Sequence, residues 1–333
     1  MRWREFPGSS DRAGHPAFAE LIGDLVRPYG IPLRPDASGG HSYGDMLAAL
    51  IGDVVPSDEP ADMLILGFAM PDVWPERATA TFLSDACPGS PLAFALCDQG
   101  CAAGFTALRL ARDYAAIGGC RRVLVALAEQ ARLDYDPPAP ASVPARHAAF
   151  AMLCDAHPAP TPGPTSGPIP TSGPGPTSGP GPTSGPGPTS GPGPTSGPGP
   201  TSGPGPTPGP TAAAGGPGEG RAPEGCAPLL AAVRVLPGVP AVQVPAILGR
   251  ELGALPMAEP GEDKRPLVLG EGLAPLFGDV PGWRSVPVPP GQPLTGVWRE
   301  LAAWSALPGR GSMAIADYDP GLGYLCLATF VGT

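Results

Sequence analysis

Cys101 is the residue in this sequence best placed for covalent chemistry. It stands in CDQGCAAGFTALRLARDYAAIGG, residues 97–119, between a short apolar run and an amphipathic run that stops at Gly118-Gly119. A thiol at the first turn of a helix meets unpaired N–H groups and the positive end of the helix dipole. Both favour the thiolate, so its pKa is expected below the ~8.5 of a free thiol. The same N–H groups can hold the oxyanion of an acyl-transfer intermediate. Ala102, Ala103 and Gly104 are small enough to let a thioester approach the backbone. Position alone leaves a second reading level with this one, in which Cys101 is a small core residue.

The elements around it must hold that bend in place. PLAFALCD reads as a buried strand that runs straight into the Cys101 turn. The helix that follows is expected from about Ala103 to Ile117, with Leu108, Ala111, Ala115 and Ala116 as its apolar face. Upstream, HPAFAELIGDLVRPYG and YGDMLAALIGDVV carry helical spacing, and ADMLILGFAMPD is a buried strand. RRVLVALAEQ and HAAFAMLCD are two more strands. A similar order recurs later: APLLAAVRVLP, VPAILGRELGAL, RPLVLGEG, LTGVWRELAAWSAL, GSMAIADYD and LGYLCLATF. Strands alternating with helices predict a layered α/β fold with a mixed sheet, and the recurrence predicts two similar halves. Nothing before His15 reads as a buried strand, which would leave a sheet edge open to a partner.

Between the halves, from about Pro160 to about Glu224, lies a degenerate PTSGPG repeat. Proline removes backbone donors, glycine raises the entropy cost of ordering, and few large apolar side chains remain to bury. The expected division is residues 1–157 as the N-terminal half, 158–225 as a disordered linker and 226–333 as the C-terminal half. Setting aside roughly 65 residues of repeat leaves about 270 that can fold. The net charge is −10 and Lys264 is the only lysine, so no basic patch points to nucleic acid. Seven cysteines without paired spacing do not form a disulfide framework, and no cluster of ligands points to a metal. No N-terminal or internal apolar run suits a leader or a membrane span, so a reducing cytoplasm is expected.

The run DQGCAAGFTALRLARDYAAIGGCRRVLVALAEQ resembles the nucleophile segment of the thiolase and β-ketoacyl synthase superfamily, ketosynthase III in particular. Cys101, Gly104, Ala107, Leu108, Gly119, Val123, Leu124, Val125 and Glu129 fall in register with it, and ADMLILGFAMPDVWPE is similar to the segment before it. The likeness covers about Tyr43 to Asp155 well and the C-terminal half more weakly. It implies a five-layered αβαβα fold of two similar halves, assembled as a dimer. It also implies a cysteine that takes an acyl group from an acyl carrier protein or coenzyme A thioester, with no further cofactor. Ala102, Gly104, Gly321 and Gly323 would then line the acyl pocket or the oxyanion site.

Two departures bear on the reaction. In VLGEGLAPLFGD, Glu271 stands where the resemblance places the first histidine, and in PGQPLTGVW, Gln292 stands where it places the second. His15, His41, His147 and His157 are the only histidines, and none lies in the second half. Carbon–carbon condensation needs donors aimed at a developing enolate, and an ionised Glu271 is acceptor-only. Gln292 can donate but cannot relay a proton. Glu271 is either a base for simple acyl transfer or a solvated loop carboxylate. His147 precedes a strand and His41 sits in a glycine-rich loop. Cys97 reads as packing, and Cys87, Cys120, Cys154, Cys226 and Cys326 carry no motif. Trp298 and Trp304 read as core or interface.

Two functions follow. One is acyl-thioester handling in polyketide or fatty-acid-type assembly. The protein would be either a partner subunit of an active ketosynthase, comparable to a chain-length factor, or a Cys101-dependent acyltransferase. It would form a homodimer or a heterodimer. The other is a structural or interaction protein without covalent chemistry.

Overall fold

The computed structural model describes residues 1–8, 16–34, 40–74, 76–131, 135, 143–156, 228–255, 264–278 and 280–332. The PTSGPG repeat, His15, His157 and Cys226 lie outside them. The first half runs β1 (Arg2–Glu5), α1 (Pro16–Val26), α2 (Tyr43–Val54), β2 (Met63–Gly67), α3 (Thr79–Ala86), β3 (Leu92–Leu96), α4 (Ala102–Ala116), β4 (Arg122–Glu129) and β5 (Ala148–Asp155). The second runs β6 (Leu229–Leu236), α5 (Val244–Gly253), β7 (Arg265–Leu269), β8 (Trp283–Pro287), α6 (Gly296–Ser305), β9 (Ser312–Asp319) and β10 (Tyr324–Val331).

Each half builds one five-stranded sheet, in the orders β1-β5-β4-β2-β3 and β6-β10-β9-β7-β8. Directions match strand for strand. The first three strands of each order are antiparallel, and the last two add in parallel. Alternation along β2 shows how the layers arise. Met63 and Ile65 enter a central core with Phe105, Val125, Ile315 and Trp298, while Leu64 and Leu66 enter an outer core with Leu47, Leu50 and Leu83. A strand buried on both faces reads as continuous apolar sequence, as MLILG does. A third core packs Val244, Leu248 and Leu252 of α5 on the far face of the second sheet. The layers are therefore helix, sheet, helix, sheet, helix, with α4 and α6 between the sheets. Among the described residues no helix is long and apolar enough to cross a membrane.

Three sequence expectations change. A strand does precede His15: β1 pairs with β5, Arg2 opposite Ala151 and Glu5 opposite Ala148. Its two-residue period hides behind arginines. Arg4 pairs with Asp53, while Trp3 packs against the central core and donates to Thr295 Oγ1. β1 covers β5 and is itself the edge of the sheet. Second, PLAFALCD is not a buried strand. It forms the sheet edge β3, where Leu92 is 66 % exposed, because only β2 flanks it. Third, burial on α4 is concentrated at Ala102–Leu108, and Ala116 is exposed. Helix α3 and strand β8 had no legible signal, each being short and only partly buried. Trp298 and Trp304 are both core residues.

Candidate active site

Cys101 occupies the N-cap of α4, with φ −64° and ψ −18°. The chain reaches it through two left-handed residues, Asp98 (φ 58°) and Gly100 (φ 50°). A Cβ at Gly100 would overlap the Asp319 carboxylate, so this turn needs glycine for space as well as for backbone conformation. Cys101 is 7 % exposed and opens onto a cavity of about 420 Å³. The cavity is mostly apolar, with Met70, Pro144, Leu294 and Leu322 in its walls, and its charged lining residues are Asp98, Glu129, Asp317 and Asp319.

The electrostatics at the sulfur reverse the expectation drawn from a helix end. Cys326 from β10, then burial, then Asp317 and Asp319 from β9 push the Cys101 thiol well above the ordinary thiol range. Two of the N–H groups expected to be free are also taken: Ala102 N–H donates to Gln99 O at 2.9 Å and Ala103 N–H to Gly100 O at 3.4 Å. Burial pushes the Asp317 carboxyl up to about 8, against the N–H of Tyr318 that holds it down; Asp319 and Glu271 push it higher, and the Cys101 thiol lowers it. Asp319 accepts from Gly321 N–H and Leu322 N–H at 3.0 Å each.

A mirrored arrangement stands where the halves cross the other way. Glu129, the last residue of β4, accepts from Gln292 Nε2 at 2.6 Å, Leu294 N–H at 2.9 Å and Thr295 N–H at 3.0 Å, and from Thr295 Oγ1. Thr295 is the N-cap of α6. Thus the acidic end of β4 meets the start of α6, and the acidic end of β9 meets the start of α4. Negative groups are favoured at helix N-termini, so both crossings are electrostatically sound. One carries a hydroxyl at the cap and the other a thiol. Burial raises the Glu129 carboxyl, opposed by its contacts with Thr295, Leu294 and Gln292.

No family model and no curated protein matches the chain. Solved structures do align along most of it. AbyA1, a tetronic acid condensing enzyme, is 14 % identical over 98 % of this chain and 97 % of its own, with a TM-score of 0.47. FabH, the 3-oxoacyl-(acyl carrier protein) synthase III of Pseudomonas aeruginosa PAO1, is 12 % identical over 88 % and 84 %, at 0.45. ChlB3, an acyltransferase, is 13 % identical over 98 % and 95 %, at 0.47. Likeness at this level is one of outline. What decides the fold is internal: two sheets of one strand order and direction, enclosing two central helices whose starts face each other's strand ends. The fold is thiolase-like.

Within this thiolase-like frame the residues singled out in the sequence take different places. Gly321 lines the cavity beside Cys101. Ala102 is fully buried in the central core. Gly104 backs onto the indole of Trp298, and Gly323 (φ 67°) packs against the backbone at Val239. Glu271 is tied to Gly291 N–H at 2.7 Å. Gln292 is 5 % exposed, and its amide also donates to Arg146 O at 3.3 Å. His147 is buried and its Nδ1 accepts from Ala131 N–H at 3.3 Å; His41 lies 5.2 Å from it, ring to ring. Neither lines the cavity. Cys97, expected to pack, is exposed. Among the described residues no group of three or more His, Cys, Asp or Glu could hold a metal ion.

In the sequence Asp317 and Asp319 draw no assignment, and Cys326 carries no motif. A signal was present: SMAIADYD and VLVALAEQ are equivalent strands, and both end in acid. Gly104 also yields a direct test. Its added Cβ would lie 2.6 Å from the Trp298 ring, which is held by Phe105 at 5.0 Å and Phe150 at 5.7 Å and cannot retreat. Gly104→Ala should cost about 1–3 kcal/mol in urea unfolding, as overpacked cores do. An unchanged midpoint would show that the indole has room to move.

Proposed function

We propose that the protein binds acyl thioesters in the cavity at Cys101 and transfers the acyl group through that sulfur, without forming carbon–carbon bonds. The observation that carries this is Cys101 at the mouth of a helix, opening onto a largely apolar cavity, beside a carboxyl whose pKa is raised to about 8. Asp317 takes the place of an imidazole base. Sγ attacks the thioester carbonyl carbon and the new S–C bond forms; the thiol proton passes to Asp317. As the carrier's C–S bond breaks, that proton goes to the leaving thiolate. The carrier is an acyl carrier protein or coenzyme A, and no other cofactor is needed. With the first two helical N–H groups engaged, the oxyanion is weakly held and turnover is slow. Among the described residues no histidine lines the cavity, so no imidazole is there to meet a developing enolate. The exposed edge strand β3 suits a second chain, either a copy of this one or a ketosynthase.

The test is intact mass after incubation of the full chain with an acyl-coenzyme A. A single acyl adduct is expected, absent in Cys101→Ala, forming faster as pH rises through about 8 because the base is then ionised. A second reading is supported by the high thiol pKa: a partner subunit with no covalent chemistry. It prevails if no adduct appears even at alkaline pH while a ketosynthase co-purifies.

A further inference from the structure

A second thiol stands against the first. Strands β9 and β10 pair with Met313 opposite Phe330, Ile315 opposite Ala328 and Asp317 opposite Cys326. Cross-strand partners share a face. Met313, Ile315, Cys326, Ala328 and Phe330 all enter the central core, where α4 packs on both strands. Asp317, level with Cys326, lines the cavity together with Cys101 at the start of that helix. The register thus delivers the Cys326 side chain to Cys101, and the two thiols meet as hydrogen-bond partners. One comes from each half of the fold.

The pair differs in access. Cys101 opens onto the cavity, whereas Cys326 is fully buried and is not among the lining residues. A small oxidant that enters the cavity therefore meets Cys101 first. Acyl transfer uses that sulfur and leaves Cys326 without a part. Two sulfurs already in contact need only a short closing movement to reach bonding distance. The contact with Cys326, burial and the nearby acids hold the Cys101 thiol protonated, so its oxidation is slow near neutral pH and quickens as pH rises. Such a pair suits a lock set by sustained oxidation better than a fast sensor.

We infer that Cys101 and Cys326 form a reversible disulfide under peroxide, which ties α4 to β10 and closes Cys101 to acyl groups. Cys101 Sγ attacks the peroxide; the O–O bond breaks, an S–O bond forms, and water leaves with the thiol proton. Cys326 Sγ then attacks that sulfur, the S–O bond breaks, and a second water carries off the Cys326 proton. Both thiols are oxidised, and one peroxide is reduced to two waters. A dithiol reverses the bond by exchange. Because Cys326 is in contact beforehand, the sulfenic acid on Cys101 is captured before more peroxide drives it to the irreversible sulfinic acid. The disulfide stands without the acyl-thioester reading; only its consequence, transfer switched off, rests on that reading.

The experiment treats the full wild-type chain with hydrogen peroxide at mildly alkaline pH and maps its peptides without reduction. A Cys101 peptide joined to a Cys326 peptide is expected, lost on adding dithiothreitol. In the oxidised protein the acyl adduct formed from an acyl-coenzyme A should fall by about tenfold or more and return with dithiothreitol, because the nucleophile is masked. In Cys326→Ala the same dose should carry Cys101 to the sulfinic acid, and dithiothreitol should no longer restore the adduct. Cys326→Ser is closer in size and should behave alike, which separates loss of the thiol from loss of packing. A Cys101 link to the exposed Cys97, a sulfinic acid at Cys101 beside an intact Cys326 thiol, or no oxidation of Cys101 would each overturn the inference in the wild-type chain alone. The linked peptide in a protein that never takes an acyl group would sink transfer and keep the disulfide.

Discussion

Asp317→Asn is expected to flatten the loss of stability that the wild-type protein shows as pH rises toward about 8. Burial makes this carboxyl hold its proton far longer in the folded chain than in the unfolded one. Its contribution is complete below ~4, where both states are protonated, and it is lost as pH climbs through the folded value. One such group changes the slope by at most about 1.4 kcal/mol per pH unit. Glu129 is raised for the same reason, so some slope will survive in the variant. Urea unfolding from acidic to mildly alkaline pH measures the difference directly. Identical slopes in the two proteins would mean that Asp317 is ionised in the fold at neutral pH.

The same substitution separates two roles of the side chain. Above about pH 8, where Asp317 is ionised, removing its charge lets the Cys101 thiol ionise more easily, so mass-mapped alkylation of Cys101 by iodoacetamide should become faster there. Acyl transfer should move the opposite way, because asparagine cannot take the proton; loss of a general base typically costs about 10²–10⁴-fold. Transfer and alkylation rising together would show Asp317 to be only an electrostatic brake on the thiol.

The second large effect is expected at Glu129. Its carboxylate collects buried donors from Gln292, Leu294 and Thr295, all from the other half of the fold. Glu129→Ala would strand those donors away from water and remove the negative group from the start of α6. Breaking a buried charged contact of this kind costs about 3–5 kcal/mol. Glu129→Gln keeps the shape but turns an N–H₂ toward N–H groups, and should recover only part of the loss. Denaturant midpoints of the three proteins settle the ranking. A Glu129→Ala protein within ~1 kcal/mol of wild type would mean that water replaces the carboxylate, as it does at exposed caps.

Much of the architecture was readable because its causes are local. MLILG, RVLVALAE and AAFAMLCD are strands buried on both faces, and such strands announce themselves as unbroken apolar runs. Arg2–Glu5 escaped notice because an edge strand needs only one face apolar, and Trp3 supplies it among charges. Thr79–Ala86 escaped because a single fully buried side chain, Leu83, anchors a two-turn helix.

The amino-acid order by itself determined the doubled α/β plan, the placement of Cys101 at a strand-to-helix bend, and the lack of any histidine after the repeat. These depend on neighbours a few residues apart, whose spacing is visible along the chain. Tertiary structure alone decided that Asp317, Asp319 and Cys326 surround that sulfur, and that the thiol is therefore held protonated where a bare helix end would ionise it. A pKa is set by the summed burial and field of every nearby group, whatever its distance in sequence. Here the groups that matter come from the far half of the fold, and no local period could have shown which of its acids would arrive.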